Sequence, residues 1–173
     1  MNLLERVEQA GFVGREFLVW LWYRSETNDG VFEIPELGPV ELWFDGGITL
    51  KSEQGEAVET VTCSGGGSAS REARFALAGG KMITRASLRL IRGEDEWTFV
   101  LDSDWLDFRS LRTPRVMQDM REDPDGLFYE RIFLIEQPVA VVEALFKEFV
   151  LLRVSPGWEE DVLPALEEWI RGA

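Results

Sequence analysis

Seven consecutive apolar or aromatic residues, Phe17-Leu18-Val19-Trp20-Leu21-Trp22-Tyr23, bounded by Arg15-Glu16 and Arg24-Ser25-Glu26, constrain this chain more than any other stretch. So short a run falls far below the roughly 20 apolar residues that a membrane-spanning helix needs, so it must be surrounded by protein on nearly every side. Phe17, Leu18, Leu21 and Trp22 recur at helical spacing, Glu16 lies in the first turn, and Gly14 and Asn28-Asp29-Gly30 punctuate the ends. The reading is a helix over 14–26, with a fully buried strand as the alternative.

At 173 residues and 45% hydrophobic content the chain can fill one core, and a single α+β domain over 1–173 is expected. The acidic residues number 32 against 18 basic ones, a net charge of −14 with a pI near 4.4, which opposes general attraction to nucleic acid or anionic lipid. The single Cys63 cannot form an internal disulfide, and no leader-like or long apolar segment is visible. A reducing, cytoplasmic setting without a membrane partner follows as the expectation. The lack of any His removes Ser-His-Asp and Cys-His nucleophilic systems, His-ligated zinc and the commonest general base. No motif calls for a cofactor or a small-molecule substrate.

Along the chain, Leu3, Leu4, Val7 and Ala10 mark a short helix that Gly11 should end, giving an N-terminal helix pair. Beyond the turn-rich stretch 27–39 the period changes to two. Val40, Leu42 and Phe44, then Asp45-Gly46-Gly47, then Ile48 and Leu50 read as a β-hairpin. A further strand is expected over 57–63. The Gly65-Gly66-Gly67-Ser68 stretch lacks the Lys-Ser/Thr ending and the glycine spacing of phosphate-binding loops and reads as a plain loop. A helix over 69–78 turns Ala73, Ala76 and Leu77 inward and stops at Gly79-Gly80. Ala86, Leu88 and Leu90, the turn at Gly93-Glu94-Asp95, and Trp97, Phe99 and Leu101 form a second hairpin.

Residues 102–126 read as an irregular, partly buried loop. From Leu127 the helical stripe runs through Phe128, Ile132 and Ile135, is kinked or split at Pro138, and resumes with Val142, Leu145, Phe146, Phe149 and Val150. The last helix carries Ser155 as N-cap, Pro156 at its first position, and the stripe Val162, Leu166, Trp169 and Ile170. No repeat or sustained heptad pattern is present.

Chemistry-bearing clusters are few. Arg71, Arg74, Lys81, Arg85, Arg89 and Arg92 face a single acid, Glu72, between Ser68 and Arg92, the place where an acidic chain could hold nucleic acid. Strand spacing sets Arg85 and Arg89 on one face about 13 Å apart, which suits phosphate contact; the alternative is a solvated face whose arginines pair with Glu94 and Glu96. Arg109, Arg112 and Arg115 form a thinner run with the same two readings. Asp102 and Asp104, with Glu122-Asp123 or Asp125, are the weak candidates for a Mg²⁺ site in a metal-dependent exonuclease, against ordinary turn and cap duty. Cys63 reads as a small buried residue and the seven Trp as core and interface.

Gly14-Arg15-Glu16-Phe17-Leu18-Val19-Trp20-Leu21-Trp22-Tyr23-Arg24-Ser25-Glu26, Val40-Glu41-Leu42-Trp43, Glu96-Trp97-Thr98-Phe99, Leu127-Phe128-Tyr129-Glu130-Arg131 and Trp158-Glu159-Glu160 with Leu163-Pro164 together resemble the C-terminal part of the RdgC family of bacterial recombination-associated proteins. The resemblance implies sequence-independent binding of duplex DNA, assembly as a ring-like homodimer, modulation of a RecA-type recombinase and a nucleoid location; some members are also described as exonucleases. Family members are longer, so it also implies that their N-terminal half is lacking here. A homodimer is expected, with Phe146, Phe149, Trp158 and Trp169 of the C-terminal helices as the contact.

Overall fold

The computed structural model describes residues 3–52, 59–64, 67–117 and 123–172. The expected α+β architecture is present: an antiparallel sheet of six strands with helices at both ends of the chain. In order these are α1 (Leu3–Thr27), β1 (Val31–Ile34), β2 (Gly38–Lys51), β3 (Thr60–Cys63), α2 (Gly67–Ala78), β4 (Met82–Arg92), β5 (Asp95–Asp102), β6 (Phe108–Arg112), α3 (Pro124–Arg153), a π-helical turn (Trp158–Val162) and α4 (Leu163–Arg171). The sheet order is β1-β2-β4-β5-β6, and β3 pairs with the second half of β2 on the edge whose first half pairs with β1.

The apolar run lies on α1, and Phe17, Leu18, Val19, Trp20, Leu21 and Trp22 are all buried, three of them completely. A helix buried on every side needs neighbours on every side. The sheet supplies one through Leu42, Leu50, Ala86, Leu88, Leu90, Trp97, Phe99 and Leu101. The end of α3 supplies another: Phe17 meets Phe146 at 5.2 Å and Phe149 at 5.6 Å, and Trp20 meets Phe149 at 5.6 Å. On α4, Trp169 lies edge-on to Trp22 at 4.9 Å. The charges that close the run clamp the same elements, Glu16 to Arg153 at 2.8 Å and Arg24 to Glu148 at 3.2 Å.

Five expectations are corrected by the tertiary structure. The N-terminal helix pair is one helix, α1, running through Gly11 and Gly14. Gly14 marks a close approach, since a methyl group there would sit 1.9 Å from the backbone oxygen of Ser103. The first hairpin is one strand, β2: between Phe44 (opposite Leu88) and Ile48 (opposite Ala86) it bulges, Gly46 taking φ +106°, and both halves pair with β4. The partly irregular segment contains a sixth strand, β6. Its register slips where Ser110 takes φ +53°, which breaks the two-residue alternation that marks a strand in sequence.

The remaining two concern helix ends. α3 is not split at Pro138 but runs through it as one helix. A proline leaves the carbonyl four residues earlier without its helical donor, here Leu134, and the Trp97 indole N–H donates to that oxygen at 2.7 Å. Helix does resume at Pro156, and Ser155 O accepts from Trp158 N–H at 3.2 Å, but the Ser155 hydroxyl supplies no side-chain cap: it donates backward to Leu152 O at 2.7 Å and closes the end of α3. The stop of α2 is as expected: Gly80 takes φ +86° and Lys81 N–H reaches Ala76 O at 3.0 Å. The strand expected over 57–63 is seen as β3, with residues 57 and 58 outside the described ones, as are Gly65 and Gly66. Among the described residues no helix is long and apolar enough to cross a membrane.

Candidate functional site

The six bases between Arg71 and Arg92 do not converge on one patch. Arg74 lies 5.3 Å from the Trp169 ring and its Nη1 donates to Trp169 O at 3.2 Å, bracing α2 on α4. Arg92 Nη1 donates to the Gln137 side-chain oxygen under α3. Lys81 pairs with Glu59 at 2.9 Å, and with exposed Arg71 it borders an open depression of about 720 Å³ beside Phe75. Arg85 and Arg89 alone of the six stand on the open face of the sheet, opposite Leu88 and Leu90.

There the structure adds partners that the sequence separated. Arg89 is opposite Thr98, and Thr98 is opposite Arg112; Ser87 is opposite Val100, and Val100 is opposite Arg109. Directly paired residues share a face. Without the slip at Ser110, Arg109 and Arg112, three apart, would point to opposite faces; with it, both join Arg85 and Arg89 on one side of three adjacent strands. Arg115 lies beyond β6 and is exposed.

Carboxylates answer most of this charge. Asp102, buried, takes Arg85 Nε at 3.0 Å and Arg109 Nη2 at 3.4 Å on one oxygen and the Asp104 backbone N–H at 3.2 Å on the other. Burial pushes its carboxyl up, but the Arg85 hydrogen bond, the Asp104 N–H and the two guanidinium charges outweigh that and hold it below the ordinary aspartate value. Arg89 lies 3.1 Å from Asp45, which the β2 bulge delivers, and 3.8 Å from Glu96. Pairing with Glu96 was one of the two sequence readings; Asp45 was foreseen by neither.

Three of the weak metal candidates are otherwise engaged. Asp102 anchors two arginines, Asp104 pairs with Arg15 at 3.5 Å, and Asp123 caps α3 by accepting from Gly126 N–H at 2.9 Å. Glu122 lies outside the described residues, among which no group of three or more carboxylates or thiols is placed to hold a metal ion. Burial, and then the Glu72 charge, push the Cys63 thiol up, away from the thiolate form that a nucleophile needs.

A second surface was not foreseen. On the first half of α3, Phe128 (60% exposed), Tyr129 (69%), Ile132 (36%), Phe133 (55%), Ile135 (48%) and Val139 (41%) face outward, while Leu127, Leu134, Pro138 and Val141 face the core. The expected inward stripe of Phe128, Ile132 and Ile135 is thus the outward one. The side chains expected at a dimer contact are spent inside: Phe149 and Trp158 are buried, and Phe146 and Trp169 pack on α1. The signal that could have revealed this was the apolar content on both flanks of 127–139, which one core cannot absorb.

No family model matches this chain, and the search of curated proteins finds none similar to it.

Proposed function

We propose that this chain is a protein-interaction module whose contact surface is the outward face of the first half of α3. The observation that carries this reading is a helix apolar on both sides with only one side covered by its own fold. Helices apolar all round are buried ones, and exposed clusters of large apolar side chains mark contact sites. Hydroxyl-radical footprinting tests it. Phe128 and Tyr129 should label strongly in the dilute purified chain and several-fold less inside cells that produce it. Equal labelling in the two settings retires the reading.

A second reading is supported by the convergence of Arg85, Arg89, Arg109 and Arg112 on one sheet face and by the RdgC resemblance. We propose it as weak, sequence-independent contact with duplex DNA, through which a nucleoid location and a role in recombination would follow. Asp102, Asp45 and Glu96 beside those arginines, and the net charge of −14, keep such binding weak and confined to low salt. Replacing Arg85 and Arg89 together by Ala should weaken binding to a labelled duplex and flatten the dependence of log affinity on log salt by about 2, near one per lost phosphate contact. An unchanged slope rejects these residues as the contact.

A further inference from the structure

We infer that the outward face of α3 pairs, in parallel and about a two-fold axis, with the same face of a second copy of this chain. This names the partner for the interaction reading above and rests on it. Phe128, Ile132, Ile135 and Val139 are separated by four, three and four residues, which is the seam of a two-stranded coiled coil with Phe128 and Ile135 at d and Ile132 and Val139 at a. The stretch is shorter than the three heptads by which such a seam is recognised in sequence. β-branched residues at a favour two parallel strands, and both a positions here are β-branched.

The same spacing continues through Val142, Phe146 and Phe149, where α1 fills the seam: Phe17 lies against both phenylalanines. In the second half of α3 the seam is therefore covered within the chain, and in the first half it is exposed.

Charge selects both the occupant and the orientation. Arg131 at g and Glu136 at e flank the seam on opposite sides, both exposed. In a parallel pair each g position meets the e position five residues further along the other helix, so Arg131 reaches Glu136 of the partner subunit, and symmetry makes this contact twice. An antiparallel pair would instead set g against g and e against e, bringing Arg131 towards Arg131 and Glu136 towards Glu136. The covered flank of α3, through Leu127, Leu134, Pro138 and Val141, carries the body of the domain. A parallel two-fold throws the second body to the opposite flank, so the two do not compete for space beside residues 128–139; beyond Val139 the paired helices must diverge, because α1 occupies the seam there.

Sedimentation equilibrium on the whole chain tests this with a charge swap. Arg131→Glu and Glu136→Arg should each weaken self-association by roughly tenfold or more, because each replaces two attractive pairs by two repulsive ones. The double variant, carrying both, should return to within a few-fold of the wild type. Both positions are exposed, so thermal midpoints of the monomers should stay together and report intact folding. A double variant as weak as either single one, or a wild type that stays monomeric at hundreds of micromolar, overturns the inference. A monomer whose α3 face is nevertheless protected in cells overturns only self-pairing and leaves the interaction reading standing; a monomer labelled equally in both settings overturns both.

Discussion

Trp97→Ala will unfold at a much lower denaturant midpoint than the wild type, with a loss of about 3–5 kcal/mol, the range for removing a large buried aromatic. Trp97 is buried on the core face of β5 and its indole N–H is the donor to the Leu134 oxygen that Pro138 cannot serve. Two effects therefore coincide, a cavity in the core and a buried carbonyl left without a partner. Trp97→Phe separates them, since it keeps most of the apolar volume and removes the donor; it should cost about 1–3 kcal/mol, the penalty for an unsatisfied buried polar group. Replacing Pro138 by Ala in the Trp97→Phe background restores a backbone N–H four residues after Leu134 and should recover part of that loss. Equal stability of Trp97→Phe and the wild type, by urea melts with an unchanged slope, would show that the Leu134 oxygen needs no donor and that α3 tolerates Pro138 for another reason.

Gly14→Ala is the second large effect, and its sign runs against helix propensity. Alanine in a helix interior is favoured over glycine by about 1 kcal/mol, so a free surface helix would be stabilised. Here the added methyl would stand 1.9 Å from Ser103 O and 3.0 Å from its carbonyl carbon. Both neighbours are backbone, and the Ser103 segment is itself tied down, its N–H donating to Thr84 O at 2.9 Å at the bulge of β4. Neither α1 nor that loop can yield by rotating a side chain. The net cost should be about 3 kcal/mol, at the upper end for overpacking, read as a fall in thermal midpoint. A variant as stable as the wild type would mean that α1 and the Ser103 loop are not in contact.

Composition and local pattern were sufficient for the class of fold, for the buried aromatic helix and for strands β4 and β5, because each rests on a periodicity within ten or so residues. Leu88, Leu90, Trp97 and Phe99 alternate, and Phe17 to Trp22 admit no exposed face; no distant partner is needed to see either. The stop of α2 at Gly79-Gly80 was legible for the same reason, since a left-handed glycine closes a helix by its own backbone.

Distant partners decided the rest. Asp45-Gly46-Gly47 has the chemistry of a turn, and it becomes a bulge only because β4 is long enough to pair with both halves of β2. Pro138 has the chemistry of a helix break, and it is tolerated because Trp97, 41 positions earlier in the chain, supplies a donor. Arg109 and Arg112 sit at a spacing that argues against a shared strand face, and the slip at Ser110 puts them on one. The bases readable as a phosphate patch were divided among Trp169, Gln137, Glu59 and Asp102 by packing that no local pattern encodes. Phe128, Ile132 and Ile135 lie on a stripe that sequence assigns to a core, because hydrophobic spacing specifies that a face is to be covered and not by what. Only the placement of α1, which covers Phe146 and Phe149, left the first half of that stripe facing outward.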